Sequence, residues 1–218
     1  MSSLLSKIII AALIGGAVFI YNSKMFEREI PTIEIESNGY WNLKKPLNVV
    51  IKDSGGIKSY SVILYNGEKQ FILANEQFLK PNSELHVSLE APKHLFNTKE
   101  KNIEIEVIAN DASQWHFFSG NTASEKISLI VDKKRPFLST VTNSYGIRKG
   151  GSALVIFKAN DVNLDELYIQ TNTDKRFKPQ PFYKKGYYAS LVAWPVIEEN
   201  FKVTVVATDK AGNISRSS

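Results

Sequence analysis

The stretch Asn102-Ile-Glu-Ile-Glu-Val-Ile-Ala-Asn-Asp111 alternates apolar and polar side chains. A period of two is typical of a β-strand with one buried face. The stretch aligns without a gap on Asn200-Phe-Lys-Val-Thr-Val-Val-Ala-Thr-Asp209, so that the Ala and the Asp near the end of each coincide. We therefore predict that one strand occurs twice, each time ending in an Asp that opens the following turn by bonding its own backbone.

Further matches extend this internal repeat. Pro31, Asn38 and Tyr40 match Pro136, Asn143 and Tyr145 in order and spacing, and Val49-Val50-Ile51 falls on Leu154-Val155-Ile156. The period of roughly 100 residues is far longer than the 20 to 45 residues of a solenoid repeat. It predicts two copies of one domain.

Short alternating runs separated by turn signals fill each copy. Examples are 32–36, 47–52, 60–65, 85–89 and 127–131. Asp53-Ser-Gly-Gly56 interrupts the pattern, and Asn66-Gly67 is a hairpin signal between 60–65 and a partner strand at 68–73. Short strands at this spacing predict an all-β fold of tandem Ig-like β-sandwich domains. We expect the first at 31–131, a linker at 132–136 and the second at 137–218.

The N-terminal residues 1–30 are expected to form a transmembrane anchor and a short linker. Residues 4–21 are apolar or small apart from Ser6 and Lys7, and a spanning helix needs about 17–25 such residues. A cleaved signal peptide is the alternative, but the residues after Tyr21 offer no small-x-small cleavage site. Lys7 on the cytoplasmic side sends the rest outward. We expect an inner-membrane protein with most of its chain in the periplasm.

Composition limits the classes of protein to consider. Apolar residues make up 43% of the 218 residues, which is enough for a folded core. The chain has no Cys, which excludes disulfides, thiolate zinc sites and Cys nucleophiles. The formal net charge of +5 favours contact with an anionic surface or an acidic polymer.

No arrangement of residues predicts catalysis or a metal site. The chain has three His, none of them in an H-x-H or H-E-x-x-H pattern. The run Asp161-x-Asn163-x-Asp165 begins like a calcium loop, but Glu166 stands where that loop needs Gly. A nucleophile elbow and a Gly-rich phosphate loop are also missing from the sequence. We expect no catalytic residues, no metal ligands and no cofactor in this chain.

Two aromatic segments are the candidate contact surfaces. One contains Trp115. The other, at 177–188, mixes Lys with aromatic residues, and its candidate binding residues are Phe177, Phe182, Tyr183, Tyr187 and Tyr188. Aromatic faces beside Lys bind sugars or bases by stacking. The alternative is that these rings fill the sandwich core, with Lys on edge strands. A chain directed out of the cytoplasm is not expected to meet nucleic acid.

Several segments resemble a known family. They are Phe117-Phe-Ser-Gly-Asn121, Gly150-Gly-Ser-Ala-Leu-Val-Ile-Phe157, Phe177-Lys-Pro-Gln-Pro-Phe-Tyr183, Gly186-Tyr-Tyr-Ala-Ser-Leu-Val-Ala-Trp-Pro195 and Val206-Ala-Thr-Asp-Lys-Ala-Gly-Asn213. Together they resemble the region ahead of the catalytic domain in membrane-anchored M23-type (lysostaphin-like) peptidoglycan metalloendopeptidases. In that family the zinc ligands lie in a C-terminal domain, in H-x-x-x-D and H-x-H patterns that this chain lacks. The resemblance implies zinc only in a separate catalytic domain.

This resemblance implies a non-catalytic anchor and scaffold that positions or covers a peptidase domain, in contact with peptidoglycan. The alternative is a stand-alone periplasmic interaction module that binds a partner protein or a cell-wall glycan. A further strand is expected to begin where the sequence stops at Ser218. On that ground the second domain is expected to be truncated, or to be followed by a C-terminal domain.

Overall fold

The computed structural model describes residues 2–143 and 147–217, so that Tyr145 of the repeat lies outside the described residues. The chain divides into two compact units. The first comprises the described residues of Met1–Gly39 and Leu43–Ile130, and the second those of Tyr40–Asn42 and Val131–Ser218.

The helical segments are α1 (Ser2–Asn22), two 3₁₀ turns (Lys24–Phe26 and Lys93–Asn97) and α2 (Trp115–Phe118). The strands are β1 (Thr32–Ile35), β2 (Tyr40–Trp41), β3 (Leu47–Asn66), β4 (Lys69–Leu89), β5 (Asn102–Asp111), β6 (Thr122–Val131), β7 (Phe137–Asn143), β8 (Ser152–Asn160), β9 (Leu164–Thr171), β10 (Arg176–Phe177), β11 (Gln180–Pro181), β12 (Tyr187–Ala193), β13 (Val203–Asp209) and β14 (Ile214–Ser217). Strands dominate, and the predicted all-β class after one N-terminal apolar helix is confirmed.

In the first unit the antiparallel strands follow the order β1-β3-β5-β6, and β4 pairs with β3. The inward-facing residues of β5 alternate as predicted: Ile103, Ile105, Val107 and Ala109 are all buried. The hairpin predicted from Asn66-Gly67 is confirmed, since Asn66 pairs with Lys69 across a turn. Gly67 there has a φ of 62°, a left-handed conformation that glycine adopts without a Cβ clash.

The break predicted at residues 53–56 is instead a bulge inside a single long strand. Pairing between β3 and β4 passes from Lys52 opposite Glu84 to Ile57 opposite Asn82, with a shift of register. Gly56 lies in this shift with a φ of 95°. A bulge adds a residue to one strand and increases its bend. β3 therefore changes direction without ending, because glycine supplies the conformation that the bend needs.

The second unit is a sandwich of two four-stranded antiparallel sheets, ordered β10-β9-β13-β14 and β11-β12-β8-β7. Its core is formed by Ala153, Val155, Phe157, Ala159, Ile169, Val192 and Val205. Four of these alternate along β8, and the others come from β9, β12 and β13. The last described strand, β14, pairs with β13 at the edge of its sheet.

In both units the same pair of side chains closes a connection between two strands, β5 to β6 in the first and β13 to β14 in the second, and we call this pair the Asp–Asn clasp. In the first unit the Oδ1 of Asp111 accepts from the backbone N–H of Asn121 (2.7 Å), and its Oδ2 accepts from Asn121 Nδ2 (2.7 Å). In the second unit the Oδ1 of Asp209 accepts from the N–H of Asn213 (2.8 Å), and its Oδ2 from Asn213 Nδ2 (2.9 Å). The repeat seen in the sequence is thus a repeated hydrogen-bonded turn.

Helix α1 forms the N-terminal part of the first unit. Its segment Leu4–Asn22 is long and apolar enough to cross a membrane, and none of it is buried against the protein. A signal sequence near an N-terminus has the same length and composition. The apolar helix predicted at this position is therefore confirmed.

Candidate functional site

The second unit presents a tight turn at residues 182–187, which we call the aromatic turn. It connects β11 to β12. Three backbone hydrogen bonds close it: Phe182 N–H to the Tyr187 carbonyl (2.9 Å), Lys184 N–H to the Phe182 carbonyl (2.7 Å), and Tyr187 N–H to the Lys184 carbonyl (3.0 Å). Residues 181–188 line a surface depression of about 380 Å³. The fold therefore holds this turn in a defined shape.

Two tyrosine rings and two ammonium groups meet at the aromatic turn. The rings of Tyr183 and Tyr187 lie edge to face, with centroids 6.3 Å apart. Lys184 Nζ lies 5.5 Å from the Tyr183 ring and 5.0 Å from the Tyr187 ring. Lys158 Nζ lies 4.8 Å from the Tyr187 ring, and its hydrogen bond to the Tyr187 hydroxyl, together with the charge of Lys184, lowers the pKa of Tyr187.

The side chains at the tip of this turn face solvent. Phe182 is 45% exposed and Tyr183 is 85% exposed. Tyr183 also has a φ of 63°, a left-handed conformation that costs an L-residue with a Cβ roughly 1–2 kcal/mol. Such strain persists where the surrounding structure enforces it, and it is concentrated at functional sites.

This arrangement offers two kinds of contact at once. The exposed ring faces provide flat apolar area, on which a sugar ring stacks. The ammonium groups of Lys158 and Lys184 provide charge and hydrogen-bond donors for hydroxyl or carboxylate oxygens. The combination fits an extended polar ligand with negative charge, such as an acidic glycan.

The other candidate residues lie elsewhere. Phe177 and Tyr188 are partly buried and pack against the core of the second unit. The Tyr188 ring stacks on that of Phe157 with centroids 5.8 Å apart. Trp115 belongs to the first unit. The structure therefore brings together Phe182, Tyr183 and Tyr187, and leaves Phe177 and Tyr188 in the role of core residues.

Comparison with known proteins gives no family for this chain. No family model and no curated protein matches the chain. A solved tetra-tandem repeat from the extending region of a large adhesion protein is similar at 11% identity and a TM-score of 0.32, over 86% of this chain and 47% of that one. The glucan-utilization protein SGBP-B of Bacteroides ovatus, in complex with a mixed-linkage heptasaccharide, is similar at 10% identity and a TM-score of 0.27, over 87% and 46%.

Murine CEACAM1b is similar at 9% identity and a TM-score of 0.34, over 86% of this chain and 96% of that one. The chain spans less than half the length of the adhesion repeat and of SGBP-B. These likenesses are too distant to transfer a ligand or an activity to this chain.

The structure also forms an acidic cluster that sequence reasoning missed. One carboxylate oxygen each from Asp132, Asp161 and Asp209 lies within 4.8 Å of the others, all in the second unit. These residues come from the segment before β7, the β8–β9 connection and the end of β13. Of the run that resembled a calcium loop, Asp161 joins the cluster, whereas Asp165 lies on β9. No sequence spacing reveals such a meeting of three distant segments.

The acidic cluster supplies hard oxygen ligands of the type that Ca²⁺ and Mg²⁺ prefer. Three carboxylates are fewer than the six to eight oxygens around Ca²⁺, so the cluster by itself does not define a metal site. Beside it, Asn163 donates its backbone N–H to Asp161 Oδ1 (3.0 Å), and its carbonyl accepts from Lys210 N–H (2.9 Å). The Asn163 amide is buried without a hydrogen-bond partner for either polar atom among the described residues.

The first unit has an acidic group in the corresponding position. The Asn121 amide of its clasp donates to the Glu27 carbonyl (2.9 Å), just as Asn213 donates to the Asp132 carbonyl (2.9 Å). Near Glu27 lies the buried Asp53, whose Oδ2 has no hydrogen-bond partner in the part of the chain that the structure describes. Burial raises the pKa of Asp53, and the charges of Glu27 and Asp111 raise it further. At least one further carboxylate beside the clasp is thus a shared feature of the two units.

A pH dependence of stability follows from Asp209. Burial raises its pKa above the ordinary 3.8, the bonds from Asn213 oppose this, and the charges of Asp132 and Asp161 add to it. The native state then binds more protons than the unfolded chain, so stability falls as pH rises from 3.8 through the raised pKa. Because the charge of Asp132 contributes to the raised pKa of Asp209, we expect Asp132→Asn to weaken this fall in stability. The unfolding free energy of the variant should therefore exceed that of the parent by more at pH 7 than at pH 3.

Urea denaturation of the full chain in detergent at both pH values measures this difference. Asp174→Asn is the matched control, because Asp174 is exposed and is not among the charges that shift Asp209. An equal effect of Asp132→Asn at both pH values would show that the carboxylates of the cluster do not interact.

Proposed function

We propose that this chain is a membrane-anchored, non-catalytic interaction module. In this proposal α1 holds the chain in the inner membrane, the β-sandwich units stand in the periplasm, and the aromatic turn binds a cell-wall glycan. The observation that carries the proposal is the exposed pair Phe182 and Tyr183 beside Lys184. The apolar helix supports membrane anchoring with most of the chain outside the cytoplasm.

The chemistry of peptidoglycan suits the aromatic turn. Its sugar rings match exposed aromatic faces, and its carboxylates match the ammonium groups of Lys158 and Lys184. A net charge of +5 favours approach to such an anionic polymer. The expected binding is weak and salt-dependent, because the site is open and its charges are exposed.

A double variant, Phe182→Ala/Tyr183→Ala, tests this surface. Two stacking contacts of about 0.7 kcal/mol each correspond to an affinity about tenfold lower for purified peptidoglycan. Both side chains are exposed, so the melting temperature is expected to stay unchanged. Co-sedimentation of the full chain with isolated cell-wall sacculi measures the binding.

Ile197→Ala is the matched control, because Ile197 is 90% exposed and lies outside the aromatic turn. Equal binding of the double variant and the control would remove the turn from the proposed site. Failure of the unaltered chain to sediment with sacculi would remove the glycan, and a partner protein would then be the alternative ligand of the module.

A finer form of the proposal is that the module is the anchor and scaffold region of an M23-type endopeptidase, positioning or covering a zinc peptidase domain. The resemblance to that family supports this form. It covers β8, the β10–β12 region and the turn after β13. The coding sequence after Ser218 tests it. An open frame leading into H-x-x-x-D and H-x-H patterns would support the scaffold role, and an immediate stop codon would contradict it.

A further inference from the structure

The turn that follows β5 differs between the two units in one respect. Asp111 and Asn121 of the first clasp are ten positions apart, whereas Asp209 and Asn213 of the second are four apart. The extra residues include Trp115–Phe118, and the shorter turn contains no aromatic residue. The enlarged turn belongs to the unit that continues directly from α1.

Hydrogen bonds tie the enlarged turn to the residues just after α1. Gln114 N–H donates to the Met25 carbonyl (2.7 Å). Ser113 Oγ donates to the Glu27 carbonyl (2.7 Å), and Asn121 Nδ2 donates to the same carbonyl. The position of the turn is therefore fixed at the C-terminal end of the apolar helix.

An arginine joins the helix end to the turn through two rings. The Arg28 guanidinium carbon lies 4.7 Å from the centroid of the Tyr21 ring on α1 and 4.5 Å from that of the Trp115 ring. Tyr and Trp are the residues that concentrate at membrane–water interfaces. If α1 spans the bilayer, Tyr21 lies at its outer boundary, and Trp115 lies at the same level.

Phe117 and Phe118 extend from this turn into solvent. Phe117 is 98% exposed and Phe118 is 68% exposed. His116, Phe117 and Phe118 have φ values of 50°, 55° and 72°, each a left-handed conformation that costs roughly 1–2 kcal/mol. Packing against the described residues offsets little of this strain at Phe117, whose apolar ring faces solvent and is available to a partner outside the protein.

We propose that Phe117 and Phe118 insert into the interfacial region of the same membrane that α1 spans. This inference rests on the proposed membrane anchoring. The lipid surface is the partner, because the turn is held beside the helix exit and carries an aromatic pair next to Arg28 and Trp115. Apolar residues of interfacial segments enter about 5–10 Å into the headgroup and acyl boundary. Insertion fixes the orientation of the first unit on the membrane.

The absence of Cys from the chain allows a direct test with a single introduced thiol. Full-length Phe117→Cys is labelled with an environment-sensitive fluorophore and reconstituted in vesicles of phosphatidylethanolamine and phosphatidylglycerol. We expect a blue-shifted emission, quenching by lipids spin-labelled near the headgroup, and iodide quenching about threefold weaker than at a water-exposed site. Leu79→Cys is the control, since Leu79 is fully exposed and lies on β4, outside both α1 and the enlarged turn.

Each outcome separates the two proposals. A chain that stays in vesicles after alkaline carbonate washing, but whose probe at position 117 behaves like the probe at position 79, would overturn the insertion and leave the anchor standing. A blue shift without quenching by spin-labelled lipid would assign the surface to a protein contact and overturn the lipid assignment. Release of the chain by carbonate would overturn the anchor, and with it this inference.

Discussion

The Phe157→Ala variant is expected to lose about 4 kcal/mol of unfolding free energy, all of it from the second unit. Phe157 is fully buried on β8 and stacks on Tyr188. Its removal takes away apolar burial and also leaves a cavity, because the two sheets that sandwich it cannot move together freely. Native-state hydrogen exchange of the full chain in detergent measures the loss strand by strand.

Phe137→Ala is the matched control on the neighbouring strand β7, where Phe137 is 57% exposed. Its expected cost is within about 0.5 kcal/mol. If Phe157→Ala does not fold, Phe157→Leu keeps most of the volume and is expected to cost about 1.5 kcal/mol. Equal costs for positions 137 and 157 would show that β8 does not form the centre of this core.

The Asn121→Ala variant is expected to destabilise the first unit by about 3 kcal/mol. Its amide donates to Asp111 Oδ2 and to the Glu27 carbonyl. Asp111 is fully buried, so the loss leaves a carboxylate with fewer donors, which costs more than a lost neutral bond. Exchange of the β5 amides should quicken, while the β13 amides of the second unit keep their protection.

Asn213→Ala is the reciprocal variant, since Asn213 bonds Asp209 and the Asp132 carbonyl in the second unit. We expect the protection pattern to reverse, with β13 weakened and β5 unchanged. Asn110→Ala is the control, because Asn110 forms its side-chain bonds to Ser59 and Thr122 at the surface. A loss in both units from either variant would contradict the independence of the two clasps.

The Asn121→Ala variant also bears on the membrane contact. The Glu27 carbonyl, which accepts from Asn121, also accepts from Ser113 in the enlarged turn. Loss of the Asn121 amide would loosen Glu27, and the enlarged turn would then be held less firmly at the end of α1. The labelled probe at Phe117 should then lose part of its protection from iodide in the Asn121→Ala background, which links the clasp to the position of the turn.

Strand positions followed from the sequence because alternation is a local signal. The residues of β5 that alternate in the sequence are those that alternate in burial. The turn-opening Asp was predictable for the same reason, since its first bond reaches only two residues ahead, from Ser113 to Asp111. The bulge at Gly56 was predicted as a break, because a Gly pair signals a change of direction without telling whether pairing continues.

The functional surfaces depended on contacts between distant segments. The alternation of apolar and polar residues did not show which aromatic residues of 177–188 enter the core. That depends on which residues of β11 and β12 lie opposite each other. Pro181 opposite Tyr188 places the Tyr188 ring over Phe157 and leaves Phe182 and Tyr183 in the turn. The acidic cluster assembles from three segments, and no spacing along the chain encodes their meeting.

The sequence by itself determined an apolar N-terminal helix, an all-β remainder and a strand that occurs twice. The length of an apolar run and the period at which apolar residues recur both depend only on residues close together in the chain. Tertiary structure alone decided that an Asn ten positions beyond Asp111 closes its turn, and that Arg28 brings Trp115 to the end of α1. It also decided that the Phe117 side chain is almost fully exposed to solvent. Side-chain hydrogen bonds and ring contacts of this kind depend on where the backbone has already been placed, and only the folded chain fixes that placement.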